Sequence, residues 1–185
     1  LDERGQTEAQ STGRWLAQRL DHRQVPLIAS PVRRAWQTAE VIAEAFKPPL
    51  TIRPENGIAE THVPDWQGQL ADDIMANDPR WQEFYKGPAD FRFPGGETGR
   101  EVQARAVAAV EKLCREFEYG ELILVSHAEP IRGIIAHYLG MNVNLYYRLR
   151  ISCGSISCLS LPGQESNQRR PKAQLDFLNQ TEHLS

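Results

Sequence analysis

Long apolar runs are missing from these 185 residues. No stretch approaches the ~20 residues that span a bilayer, and no signal-like leader opens the sequence. Cysteine is scarce. Cys114, Cys153 and Cys158 form no metal-ligand spacing, and an odd, sparse count suits a reducing compartment, so the cytoplasm is expected. Blocks of like charge are also missing. The 21 Lys and Arg are interspersed with 24 Asp and Glu for a net charge of -3, which predicts neither a nucleic-acid partner nor a membrane surface. No repeat or low-complexity segment occurs. What remains is ordinary for a soluble globular protein: 41% apolar and 24% charged residues. The length suits one α/β domain, residues 1–185, with a substantial core.

The organising stretch is 122–130. Four apolar residues, Leu122 to Val125 in sequence, read as a strand buried on both faces. Ser126 and His127 end it, and Pro130 suits the first turn of a helix carrying Ile131, Ile134, Ile135 and Leu139. His127 is therefore expected where a parallel strand gives way to a helix, the edge at which open α/β sheets bind ligands. A histidine that merely ends a strand would look the same.

Along the rest of the chain, Thr7 is placed to cap a first helix with Ala9, Gly13, Leu16 and Leu20 inward. Gly13 costs helix propensity, which predicts a close packing contact there. A short strand at 25–29 leads into a helix with Ala35, Ala39, Ile42 and Phe46 on one face. A second, near-edge strand follows at 50–53. Residues 54–69 read as loop, with short polar helices at 70–75 and 79–85 and loop again at 88–96. The clearest helix carries Val102, Ala106, Ala109, Val110, Leu113 and Phe117 at three- and four-residue spacing. After Gly140, residues 149–151 and 155–161 are expected to form a hairpin across Cys153-Gly154. A polar, basic loop at 164–172 and a last strand at 175–178 complete the chain. The alternation of helix and strand predicts a three-layer α/β/α sandwich with a mostly parallel central sheet.

Two further stretches could carry chemistry. Ser30-Pro31-Val32-Arg33-Arg34-Ala35 places two arginines in the first turn of a helix after a strand. A helix N-terminus favours anions, and a guanidinium fork matches two phosphate oxygens. Arg33 and Arg34 diverge by about 100° on a helix, so one of them faces any site there. Glu60-Thr61-His62-Val63-Pro64-Asp65-Trp66-Gln67-Gly68 sets a carboxylate and an aromatic in a Gly/Pro-rich loop, with His62 as a surface residue. Most loop glutamates are simply solvated.

Taken together and in this order, these stretches resemble the histidine phosphatase superfamily, also called the phosphoglycerate mutase-like family. SPVRRAWQTA is similar to its second-arginine motif, ETHVPDWQG to its acid loop, FPGGET at 93–98 to the loop before its long helix, and VSHAEPIR at 125–132 to its second-histidine motif. The first helix and the tail also resemble that family, so the likeness spans nearly the whole chain. It implies a phosphoglycerate mutase-like fold and assigns catalytic roles to three residues: Arg34 as the phosphate-binding arginine, Glu60 as proton donor to the leaving group, and His127 as the histidine bonding the transferring phosphoryl group. Ser126 lends phosphate-binding backbone or hydroxyl. Family members usually have Gly where Ala128 stands, and many have Gly at Pro64.

The resemblance also implies a nucleophilic histidine in an Arg-His-Gly motif at the end of a strand preceding the first helix. None of the five histidines here stands in such a motif. That first strand and nucleophile are expected upstream of Leu1, and a chain lacking them would be inactive. The implied activity is hydrolysis of a small phosphorylated metabolite through a phosphohistidine, with no metal and no cofactor. The shortness of the segment from 68 to 125 favours a phosphatase over a cofactor-dependent phosphoglycerate mutase. A non-catalytic phospho-ligand binder stays open. Residues 64–94 are expected to form a lid that selects the substrate. There Trp66, Trp81, Phe84 and Tyr85 either line the pocket or form core. The oligomeric state is not legible.

Overall fold

The computed structural model describes residues 1–20, 25–117, 120–162 and 173–185. In chain order the elements are α1 (Glu3–Leu20), β1 (Leu27–Ala29), α2 (Arg33–Glu44), β2 (Ile52–Pro54), α3 (Ala71–Asn77), α4 (Arg80–Lys86), α5 (Gly99–Glu116), β3 (Ile123–Val125), α6 (Ala128–Tyr138), β4 (Ile156–Ser160) and β5 (Gln174–Gln180), with short 3-10 turns between them.

The centre is a parallel sheet in the order β2-β1-β3. Its register pairs Leu27 with Ile52 and Ile123, and Ala29 with Pro54 and Val125. Side chains alternate across it, as the pleat requires. Leu27, Ala29, Ile123 and Val125 pack on Leu16 and Ala17 of α1 and on Ala35, Ala39 and Ile42 of α2. Ile28 and Leu124 turn the other way, onto Ala109 and Leu113 of α5, and Leu124 also reaches Ala106, Val110 and Ile134. Helices thus cover both faces of a parallel sheet, the expected α/β/α layering. Among the described residues β2 pairs only with β1 and is an edge, as read from the sequence.

Local chemistry sets the helix starts. Thr98 caps α5 through a reciprocal capping box: its Oγ1 accepts from the Glu101 N–H, and the Glu101 carboxylate accepts from the Thr98 N–H at 2.8 Å. The first helix departs from expectation. Asp2, not Thr7, is the cap, since its carboxylate accepts from Gly5 N–H at 2.7 Å. Thr7 lies inside the helix and donates to the Glu3 carbonyl.

The C-terminal part also differs. Residues 149–151 form no strand. The chain from Val143 to Arg148 winds into 3-10 turns, closed by Leu149 N–H on the Tyr146 carbonyl. β4 instead pairs antiparallel with β5. The flanking apolar residues at 149–151 suit a strand, but the Leu149 N–H closes the preceding turn and its carbonyl accepts from Arg132 Nε. The basic loop expected at 164–172 lies outside the described residues. Among the described residues no helix is long and apolar enough to cross a membrane.

Between β2 and α5 the chain builds a small second core. Trp66, Ile74, Phe84 and Phe93 are buried together, with Trp81, Phe91 and Tyr147 packed around them. Trp66 and Phe84 are therefore core residues of this segment rather than pocket lining. Trp66 Nε1 donates to Asp78 at 2.9 Å, which satisfies its buried N–H.

Gly13 occupies the tight α1–α2 crossing. A Cβ there would lie 3.0 Å from Ala45 Cβ and 3.1 Å from Ile42 Cα. Gly13→Val is expected to cost about 1–3 kcal/mol through overpacking. The measurement is a urea unfolding midpoint, and an unchanged midpoint would mean that the two helices separate freely.

Candidate active site

The register of β1 against β3 determines what meets at the sheet edge. Because Ala29 lies beside Val125, the next residues, Ser30 and Ser126-His127, leave the sheet side by side. The ladder continues one step, with Ser30 N–H on the Val125 carbonyl at 2.9 Å. His127 is the N-cap of α6 and is buried. Its Nε2 lies 2.8 Å from Ser30 Oγ, and that same Oγ accepts from Val32 N–H just before α2. With Nε2 engaged, Nδ1 faces the Glu60 carboxyl, 3.7 Å from Oε2.

Arg34, the second residue of α2, reaches the same oxygen. Its Nη2 is 3.2 Å from Glu60 Oε2, and its side chain is 57% exposed. The guanidinium stands at a helix N-terminus, a setting that favours anions. Arg34, Glu60 and His127 therefore meet at the C-terminal edge of the sheet.

Glu60 sits on a loop, and the loop is held from below. The Arg105 guanidinium donates to the carbonyls of Gly57 (2.8 Å), Ala59 (2.7 Å) and Glu60 (3.0 Å). It also pairs with both carboxylate oxygens of Glu97, at 2.7 and 3.0 Å. Glu97 in turn accepts from His62 N–H. Gly96 permits the crossing, since a Cβ there would fall 1.7 Å from the His62 carbonyl oxygen. The Ser126 hydroxyl donates to the Ile58 carbonyl at 2.7 Å, which ties the strand end to the loop. The 93–98 stretch thus serves the acid loop from behind. His62 is exposed, as expected.

The sequence reading passed over Ser30 as a partner of His127, and it passed over Arg105, Glu97 and Glu129. A signal for Arg105 existed: it shares the inward stripe of α5 with Val102 and Ala109, where an arginine needs partners. Glu129 is the second residue of α6, and its Oε1 is 2.9 Å from Arg132 Nη1.

These surroundings set the charges. Burial pushes the Glu60 carboxyl up to about 7, and the nearby Glu129 carboxyl adds to the rise; the Thr61 N–H and Arg34 pull the other way. Burial also pushes the His127 imidazole down to about 4, with Arg34 and Arg105 adding to the effect. Near neutral pH the cleft therefore presents one fixed cation, a neutral imidazole and a carboxyl that holds its proton part of the time. It can accept a dianion and deliver a proton.

His127 is expected to titrate at about 4 in the unliganded protein, and well above that when inorganic phosphate binds, because a neighbouring dianion favours the imidazolium. Histidine ring resonances followed by NMR against pH, with and without phosphate, check this. An ordinary titration near 6.5 in the unliganded protein would contradict the burial argument.

Comparison with known proteins places this geometry. Residues 1–173 match the histidine phosphatase superfamily (branch 1). The chain is 28% identical over 163 residues to phosphoserine phosphatase 1 of Hydrogenobacter thermophilus, covering 87% of this chain and 74% of that protein. It is 30% identical over 151 residues to glucosyl-3-phosphoglycerate phosphatase of Mycobacterium tuberculosis, covering 77% of this chain and 66% of that protein. The solved complex of a mycobacterial glucosyl-3-phosphoglycerate phosphatase with inorganic phosphate superposes with a TM-score of 0.82 at 28% identity, over 100% of this chain and 89% of that one. With the expected arginine, acid and histidine meeting at one sheet edge and the match running through most of its length, the chain belongs to the histidine phosphatase superfamily, branch 1.

Proposed function

We propose that this chain supplies the substrate-binding and proton-donating groups of a phosphomonoester hydrolase, acting on a small phosphorylated metabolite through a phosphohistidine intermediate. The observation that carries the proposal is that Arg34 Nη2 and His127 Nδ1 both come close to Glu60 Oε2, at 3.2 and 3.7 Å. Relatives named as phosphoserine and glucosyl-3-phosphoglycerate phosphatases support the reaction class.

In this reading a phosphate monoester places its phosphoryl group between Arg34 and His127. Arg34 takes two oxygens in a charge-assisted fork. The neutral imidazole gives an N–H to a third oxygen from Nδ1, while Ser30 holds its Nε2 side. Both contacts strengthen as charge builds on the equatorial oxygens. A histidine nucleophile then forms an N–P bond in line as the ester P–O bond breaks, and Glu60 transfers its proton to the leaving oxygen. Water next cleaves the N–P bond, returns a proton to Glu60 and releases inorganic phosphate. No histidine of this sequence stands in the Arg-His-Gly setting of the family's nucleophile, so the steps assigned to this chain are those of Arg34, Glu60, His127 and Ser30.

The raised Glu60 gives the pH dependence its sign. The acid form is present below about 7 and is lost as pH rises through that value, so the rate with poor leaving groups falls on the alkaline side.

Arg34→Ala is expected to weaken inorganic phosphate binding more than tenfold, from loss of a contact of about 1.5–3 kcal/mol, and Arg33→Ala much less. Calorimetric titration of both variants decides the matter, and equal losses would mean the other arginine holds the anion. Glu60→Gln should slow hydrolysis of alkyl phosphates by about 100-fold while sparing p-nitrophenyl phosphate, whose leaving group needs little protonation. A uniform loss would remove Glu60 as donor. Isomerisation of phosphoglycerate without net phosphate release would favour the mutase reading, and phosphate binding without turnover would favour a binding protein.

A further inference from the structure

Binding a phosphoryl oxygen through Nδ1 requires the proton of His127 to sit on that nitrogen. A neutral imidazole can equally carry it on Nε2. We propose that Ser30 is a positioning residue whose hydroxyl donates to His127 Nε2 and so fixes the ring as the Nδ1–H tautomer, ready to donate to an anion. The tautomer follows from the hydrogen bonds alone, while its use in holding phosphate rests on the hydrolase reading and deepens it.

The local chain sets this up. Ser30 precedes Pro31, and a residue before proline favours extended backbone. Ser30 accordingly continues β1 by one step, with its N–H on the Val125 carbonyl. Pro31 has no N–H to give. The next donor is Val32, which turns back onto Ser30 Oγ at 3.2 Å. On its other side the same Oγ lies 2.8 Å from His127 Nε2. Ser30 is fully buried, so its hydroxyl is closed to solvent. Among the described residues these two are the only hydrogen bonds of that hydroxyl.

The proton inventory then admits one arrangement. A serine oxygen carries one proton and two lone pairs, and a neutral imidazole has one N–H and one bare nitrogen. The Val32 N–H can only donate, which uses one lone pair. A protonated Nε2 would use the other, and the Ser30 O–H would point at no acceptor in a buried site, a costly state. With Nε2 bare, the O–H has its acceptor and every group is paired. The second nitrogen agrees. Nδ1 lies 3.7 Å from Glu60 Oε2, an oxygen that already accepts from Arg34. An N–H suits that oxygen, where a bare nitrogen would be repelled. For an incoming phosphate the same holds: Nδ1–H donates to its oxygen, and a bare Nδ1 would oppose it. Ser30 makes this choice before any ligand arrives. Through Val32 the same hydroxyl also orders the entry to α2, which carries Arg34, so both phosphate contacts refer to one oxygen atom.

The test uses the protein with nitrogen-15 in its histidine rings, at pH 7 and without phosphate. Long-range proton–nitrogen correlation spectra tell a protonated ring nitrogen from a bare one, and His127→Gln identifies the His127 signals. Protonated Nδ1 and bare Nε2 are expected in the unsubstituted protein. In Ser30→Ala the signals should move to the other tautomer or to a mixture of the two. Affinity for inorganic phosphate, measured by calorimetry, should fall about fivefold, in keeping with one neutral hydrogen bond. Ser30→Thr, which keeps the hydroxyl, should retain both the tautomer and the affinity. A protonated Nε2 in the unsubstituted protein overturns the proposal whatever the variants do. So does an Nδ1–H form that persists unchanged in Ser30→Ala, since Glu60 alone would then hold it. If the tautomer depends on Ser30 as expected and the protein neither binds phosphate nor hydrolyses a phosphate ester, the role of Ser30 stands and the hydrolase reading falls.

Discussion

The site depends on one guanidinium. Glu60 lies on a loop that contributes no strand or α-helix of its own, and a loop cannot by itself hold a carboxyl within reach of a histidine and an arginine. Arg105 supplies the rigidity. It collects the carbonyls of Gly57, Ala59 and Glu60 and pairs with Glu97. Buried carbonyls left without donors would each cost about 1–3 kcal/mol, so the loop has one inexpensive path, and that path runs over Arg105. Since Arg105 belongs to α5, which packs on Ile28 and Leu124 through Ala109, Leu113 and Val110, the acid is referenced to the same sheet that places His127.

The sheet does the rest by register. β1 and β3 end together, so the residues that follow them, Ser30 and His127, can share a hydrogen bond. Ser30 also accepts from the backbone just ahead of α2, which couples the imidazole to the helix that carries Arg34. Arginine, acid and histidine thus arrive from three elements: the acid is held by the Arg105 side chain, and the histidine and the helix of the arginine are both tied to Ser30 at the end of β1.

Much of this was legible in the sequence because the signals are local. A buried apolar run ending in Ser126-His127, a strand followed by Ser30-Pro31 and two arginines, and a glutamate in a Gly/Pro-rich loop each mark their own place. The strong periodicity from Val102 to Leu113 marked α5. Gly13 in a helix marked a close contact, and the α1–α2 crossing is that contact. What stayed hidden depends on partners distant in sequence. Arg105 meets its carbonyls across more than forty residues. The stretch at 149–151 reads as a strand because pattern cannot show that Leu149 closes a 3-10 turn and gives its carbonyl to Arg132. Thr7 lost the capping role because Asp2 offered a carboxylate at the right spacing.

The segment at 64–94 has an aromatic centre of its own. Trp66, Ile74, Phe84 and Phe93 pack on one another, and Phe84 lies 5.0 Å from Tyr147, the ring beneath Arg132. This centre is not walled off: the Arg100 N–H donates to the Ala89 carbonyl, Arg100 pairs with Asp90, and Ala89 packs with Ala136 of α6. A change made inside the segment would therefore be felt at the start of α5 and along α6. Tyr147 is a further link, since a substitution that loosened its ring would also take away the surface under the Arg132 guanidinium.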